Sequence, residues 1–173
     1  MGIRFDPGSI PYNPSDRTGS MLQHVVLNRA GSPTFAAVNI DTQNPLLDHV
    51  SVINSAYTAI SFSATATSMQ LNFVSIINVA GHSVYFPCSA SACTLDYCFV
   101  RDSYFENSGS IHLCLDGLSF NNSRVTFERT HFLNCKSDAI YVRRMSRFPL
   151  QIIDCSFINV QVSTTPLPQY IPQ

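Results

Sequence analysis

The sequence predicts an all-β chain, a right-handed parallel β-helix solenoid of about six coils, and three observations carry that expectation. Apolar positions recur in columns at intervals of 24 to 29 residues, the length of one solenoid coil. Within each copy the spacing is period two and the segments are rich in Val, Ile, Phe and Thr, which fits strands. No stretch keeps a helical period for three turns.

The copies align on Asn54, Asn78, Asn107, Asn134 and Asn159, with Arg29 in the equivalent place of an earlier copy. Seven residues before the anchor come Leu22, Leu47, Leu71, Val100, Phe127 and Ile152. Four before come Val25, Val50, Val74, Ser103, Thr130 and Cys155, and two before come Leu27, Val52, Ile76, Phe105, Phe132 and Phe157. Six and eight residues beyond the anchor lie Ile60 and Phe62, Val84 and Phe86, Leu113 and Leu115, and Ile140 and Val142. Val38 and Ile40 take this part in the first copy, after a short insertion. One copy cannot bury its apolar face alone, so each strand is expected to pair in parallel with its equivalent one coil on, about 4.8 Å away. The asparagines are expected to point inward at a bend, where an amide can satisfy turn backbone groups and bond to the coils above and below. Arg29 breaks that column, marking an end coil or a distorted turn. A leucine-rich repeat shares the period but needs a leucine-and-asparagine consensus and a helical return. An antiparallel sandwich would show turn signals roughly every 8 to 12 residues and no long-range columns.

At 173 residues the chain is read as one domain, long enough for a real core. Residues 1–20, with Pro7, Pro11 and Pro14, read as an extended lead-in segment or a loop that could cover the first coil; 21–162 as the β-helix; and 163–173, with Pro166, Pro168 and Pro172, as an exit linker. Insertions at 88–93, 118–123 and 143–149 add loops, which in solenoids gather on one face. Charged residues are 12% of the chain, about half the roughly 25% usual for soluble domains. Hydroxyls and amides dress the surface instead, as in extracellular β proteins. Net charge is −1 and the basic residues are scattered, apart from Arg143, Arg144 and Arg147, so a nucleic-acid footprint is excluded. No apolar run approaches the roughly 18 residues of a membrane span, so no direct membrane insertion of this segment is expected. The opening Met-Gly-Ile-Arg-Phe has no signal-peptide pattern. The chain is therefore either cytosolic or an excised piece of a longer secreted or membrane-anchored surface protein, and the cysteines favour the second.

Cys88 and Cys93 enclose a short polar loop without a metal-type CxxC pair, and are the disulfide candidate. Cys98, Cys114, Cys135 and Cys155 fall at different phases and their pairing stays open; Cys98 and Cys155 also suit small buried thiols. Asn121-Asn122-Ser123 is a glycosylation sequon in a loop.

Val50-Ser-Val52-Ile-Asn54 followed by Ala59-Ile60-Ser-Phe62, and Thr130-His-Phe132-Leu-Asn134 followed by Ala139-Ile140-Tyr-Val142, resemble the repeat of the pectate-lyase-like group of right-handed parallel β-helices. The resemblance covers roughly residues 21–162 and implies fold more than function, because that group includes lyases, hydrolases, epimerases, adhesins and receptors. Gly2-Ile-Arg-Phe5, with Leu22-Gln-His-Val25-Val-Leu27 and Ala30-Gly31, is similar to the start of β-helix segments in large animal surface proteins of the bark beetle (anakonda) type. That similarity implies a place at tricellular or septate junctions.

Each chemical candidate has a plainer reading. Pectate lyases carry Arg-x-Pro-x-x-Arg, whereas this register is Arg147-Phe-Pro149-Leu-Gln-Ile152 and lacks the second arginine. A basic loop accounts for it. Asp96, Asp102 and Asp116 are single carboxylates, and Gly81-His82-Ser83 only grazes the Gly-His-Gly pattern of hydrolases that use paired carboxylates. His24 and His49 share one phase, followed by Phe73, Asp102, Arg129 and Asp154, and two histidines without a third ligand make a poor metal site. The position before the anchor holds Ile53, Ile77, Leu133 and Ile158, an outward apolar strip that a partner, an adjoining domain or a terminal segment could cover. Tyr85 and Tyr141 also point outward and could stack on sugars. The expectation is therefore a non-catalytic extracellular segment acting in adhesion, cell-junction organisation or assembly, with protein partners or adjoining domains and no cofactor. The alternative is a polysaccharide lyase, a hydrolase or a carbohydrate-binding module.

Overall fold

The computed structural model describes residues 2–13, 15–41, 45–63, 68–87, 97–115, 124–144 and 150–160. Cys88, Cys93, Asp96, Asp116, Asn121, Arg147, Pro149 and the exit linker lie outside them. The strands in chain order are β1 (Ile3–Phe5), β2 (Met21–Asn28), β3 (Val38–Ile40), β4 (Leu46–Ile53), β5 (Ile60–Phe62), β6 (Ser68–Asn72), β7 (Ser75–Ile77) and β8 (Val84–Phe86). They continue as β9 (Tyr97–Arg101), β10 (Tyr104–Glu106), β11 (Ile111–Leu115), β12 (Arg124–Glu128), β13 (His131–Leu133), β14 (Ile140–Arg144), β15 (Leu150–Ile153) and β16 (Ser156–Ile158).

All of their pairings are parallel, between equivalent strands of successive coils. One sheet has the order β1-β3-β5-β8-β11-β14. The other two faces, β6-β9-β12-β15 and β7-β10-β13-β16, are fused into one sheet by β4, whose two halves pair with β6 and β7. The protein is thus an all-β parallel solenoid. About four turns are present, where the sequence reading expected about six.

Each coil bends twice where one residue takes a left-handed backbone. The first bend is at His24, His49, Phe73, Asp102, Arg129 and Asp154, and the second at Arg29, Asn54, Asn78, Asn107, Asn134 and Asn159, all with φ between 45° and 57°. Asparagine reaches this region more easily than other non-glycine residues, which explains the recurring anchor. The amides do not point inward as the sequence reading had them. Asn54, Asn78, Asn134 and Asn159 are exposed and Asn107 half-buried, because a left-handed residue turns its side chain off the pleat. They form an outer ladder in which four of the five donate Nδ2 to the Oδ1 one coil back: Asn54 to Asn28 (3.1 Å), Asn78 to Asn54 (3.4 Å), Asn107 to Asn78 (3.1 Å) and Asn159 to Asn134 (2.9 Å). Arg29 does not end the ladder. It keeps the bend, with φ of 54°, while its neighbour Asn28 supplies the amide.

Asn78→Ala should therefore destabilise by about 1–2 kcal/mol, from left-handed strain and two lost amide bonds. Asn78→Gly should cost less than about 1 kcal/mol, since glycine accepts the bend. Urea denaturation of both variants separates backbone from ladder.

The core columns fill the interior: Leu47, Leu71, Val100 and Phe127; Val52, Ile76, Phe105 and Phe132; Ile60, Val84 and Ile111 are all at most 1% exposed. Phe105 and Phe132 stack at 5.1 Å, and Phe132 and Phe157 at 5.0 Å. In one coil the alternating pair differs from the sequence assignment. Ile111 and Leu113, rather than Leu113 and Leu115, register with Val84 and Phe86. Four residues separate Asn107 from Ile111, where six separate Asn78 from Val84, and the shortened turn runs through Gly109, whose N–H donates to Gly81 O at 3.0 Å. Within residues 1–20, β1 forms an edge strand against β3.

Candidate functional site

Inside the first bend, Ser103, Thr130 and Cys155 replace the valines of earlier coils and donate to the carbonyls two residues back, Arg101 O (2.8 Å), Glu128 O (3.1 Å) and Ile153 O (3.3 Å). These groups are satisfied structurally. Cys98 and Cys135 are free and buried, and burial raises both thiols, that of Cys135 to about 11. Cys155 is only half-buried, unlike the buried thiol expected, because it sits on the last rung.

Outside the same bend the side chains pair along the stack. His24 and His49 lie 4.8 Å apart between ring centroids, and His49 stacks on Phe73 at 4.5 Å. Arg129 holds Asp102 through both oxygens, Nε to Oδ1 at 2.6 Å and Nη2 to Oδ2 at 2.8 Å, and also bonds Glu128. The Arg129 hydrogen bonds keep the Asp102 carboxyl below its ordinary range. An aspartate fixed in this way is ill suited to trade protons. Among the described residues no three His, Cys, Asp or Glu side chains converge as metal ligands.

A column that the sequence reading passed over lines a concavity. Gln23, Asp48, Asn72, Arg101 and Glu128 occupy one register position on successive coils, six residues before the anchor. The N-terminal segment brings Tyr12 and Arg17 over its first coils, enclosing a polar groove of about 360 Å³ with Met21, Gln23, Leu46, Asp48, His49, Asn72, Phe73 and Arg101. Asp48 is already engaged, accepting from Gln23 Nε2 at 2.8 Å and lying 3.0 Å from His49 Nδ1. Asn72 is 9% exposed, and its Oδ1 is buried without a hydrogen-bond partner. The neighbouring Arg101 Nε is buried and likewise without one, its guanidinium lying 5.2 Å from the Phe99 ring and 3.6 Å from Asp102. The signal was in the sequence, as a run of polar residues at one phase, but only the fold places Tyr12 and Arg17 beside it.

The apolar strip lies on a neighbouring face. Ile53, Ile77 and Leu133 are half-buried and Ile158 is 52% exposed. Glu106 stands in register between Ile77 and Leu133, and Asn28 precedes Ile53, so the strip is interrupted by charge. The part of the N-terminal segment at the groove covers the neighbouring face. Tyr85 and Tyr141 share an outward column two coils apart, with His112 at the register position between them; Tyr85 stacks on His82 at 5.3 Å.

On the last described rung, Leu150, Ile152 and Phe157 continue core columns, in register with Val125, Phe127 and Phe132, yet are 46%, 49% and 45% exposed, and Ile153 and Ile158 beside them are 42% and 52% exposed.

Comparison with protein-family models, with curated proteins and with solved structures gives no match to this chain. The class that stands on the coordinates is a parallel β-solenoid.

Proposed function

We propose that the chain is a non-catalytic extracellular β-helix segment of a larger, membrane-anchored cell-surface protein, of the pectate-lyase-like group and the bark beetle type. Its role is adhesion, cell-junction organisation or assembly through protein partners. The exposed apolar surface of the last described rung supports this reading. Five large apolar side chains, three of them (Leu150, Ile152 and Phe157) in core columns, are 42–52% exposed there. An apolar surface of this kind favours cover by a partner or an adjoining domain. The ion pairs support a non-catalytic role, since Asp102 and Asp48 are held by neighbours rather than poised across a cleft.

Beads coated with the chain should bind animal epithelial cells, with soluble chain competing and glycosidase treatment of the cells leaving binding intact. Binding no greater than that of albumin-coated beads would sink the adhesion reading. The alternative of a polysaccharide-active β-helix is checked by following unsaturated products from polygalacturonate with calcium. Robust turnover there would replace the proposal.

A further inference from the structure

The groove under the N-terminal segment holds two unmet hydrogen-bonding groups side by side. Asn72 Oδ1 lacks a donor and Arg101 Nε lacks a hydrogen-bond acceptor, its nearest carboxylate being Asp102 Oδ2 in a long ion pair at 3.6 Å, and the two residues stand on adjacent coils in direct register. Burying a polar atom unpaired is costly, so such atoms are rare unless something else completes them. Arg17 brings a second guanidinium to the same groove, while Asp48, the carboxylate that lines it among the described residues, is engaged by Gln23 and His49. Phe73 is 47% exposed while holding a φ of 51°, a strained choice for a bulky residue. With Met21, 39% exposed, it gives the rim an apolar surface.

We propose that this groove docks an acidic peptide segment of a protein partner, a Glu or Asp carboxylate meeting Arg101 and Arg17 while an adjacent peptide N–H donates to Asn72 Oδ1. This rests on the protein-partner reading above and names the chemistry of the partner. A carboxylate between two guanidiniums forms charge-assisted hydrogen bonds. The side-chain methylenes of glutamate rest on Met21 and Phe73. The volume is that of a small pocket, and it admits one such side chain with its flanking peptide groups.

The test uses the full chain in isothermal titration with a capped Gly-Glu-Gly-Glu-Gly peptide, its Gln counterpart and trigalacturonate. The Glu peptide should bind at least about 10-fold more tightly than the Gln peptide, and more tightly than trigalacturonate. Arg101→Met should weaken it by about 10-fold or more. Asn72→Leu should weaken it too while leaving the Tm of the free protein unchanged or raised, because it removes an unpaired buried acceptor. A lowered Tm with unchanged affinity in Asn72→Leu would mean that Asn72 serves only the fold, and overturns the proposal. Equal binding of the Glu and Gln peptides overturns it as well, and so does tighter binding of trigalacturonate, which would make the groove a sugar site. Bead adhesion in the absence of peptide binding would remove this inference and leave the adhesion reading standing. Peptide binding without bead adhesion would do the reverse.

Discussion

Phe132→Ala should lower the unfolding free energy by about 3–5 kcal/mol, the largest single loss expected in the solenoid. Phe132 is 1% exposed and lies between Phe105 and Phe157 in the aromatic stack, with Phe127 edge-on at 6.4 Å. Its removal empties the interior of one coil and deprives two neighbours of a ring contact. Parallel strand pairing fixes the coils about 4.8 Å apart, so the stack cannot collapse to fill the space. Phe157→Ala, in the same column but 45% exposed, should cost less than half as much. Equal effects in urea denaturation would show that the last rung is covered in solution.

Gly109→Ala is the second large effect, about 1–3 kcal/mol from overpacking. A Cβ at Gly109 would lie 2.4 Å from Gly81 O, the same carbonyl that accepts the Gly109 N–H. Both partners are backbone, so no side chain can swing away. The shortened turn must open, and β11 loses its register against β8. Gly8→Ala, where the added Cβ meets nothing within 4 Å, should stay within about 0.5 kcal/mol of wild type. A Gly109→Ala protein as stable as wild type would show that the turn has slack.

Much of this was legible because a solenoid writes its contacts locally. Residues one coil apart in sequence, such as Val52 and Ile76 or Phe105 and Phe132, are neighbours in space, so columns of like residues reveal parallel pairing before any coordinates. Asn54, Asn78, Asn107, Asn134 and Asn159 announced a recurring bend in the same way. The direction of their amides was not legible, because the sign of φ decides whether a side chain faces core or solvent. A fixed offset from the anchor also misled at Leu113 and Leu115, where a turn two residues shorter shifted the strand pair to Ile111 and Leu113.

The groove lay further from reach. Gln23, Asp48, Asn72 and Arg101 share a phase that the repeat exposes, but Tyr12 and Arg17 belong to a segment outside the repeat, with no periodicity to place them. By itself the sequence determined the parallel solenoid, its core columns and the positions of its asparagine bends, because these follow from alternation and near-neighbour stacking along the chain. Only the tertiary structure decided that the asparagine ladder is external, that a second left-handed bend runs through His24, His49, Phe73, Asp102, Arg129 and Asp154, and that Asn72 Oδ1 and Arg101 Nε are left without hydrogen-bond partners beneath the N-terminal segment. Each of those depends on the sign of φ, on where a side chain points or on what lies over it, which neither residue type nor spacing specifies.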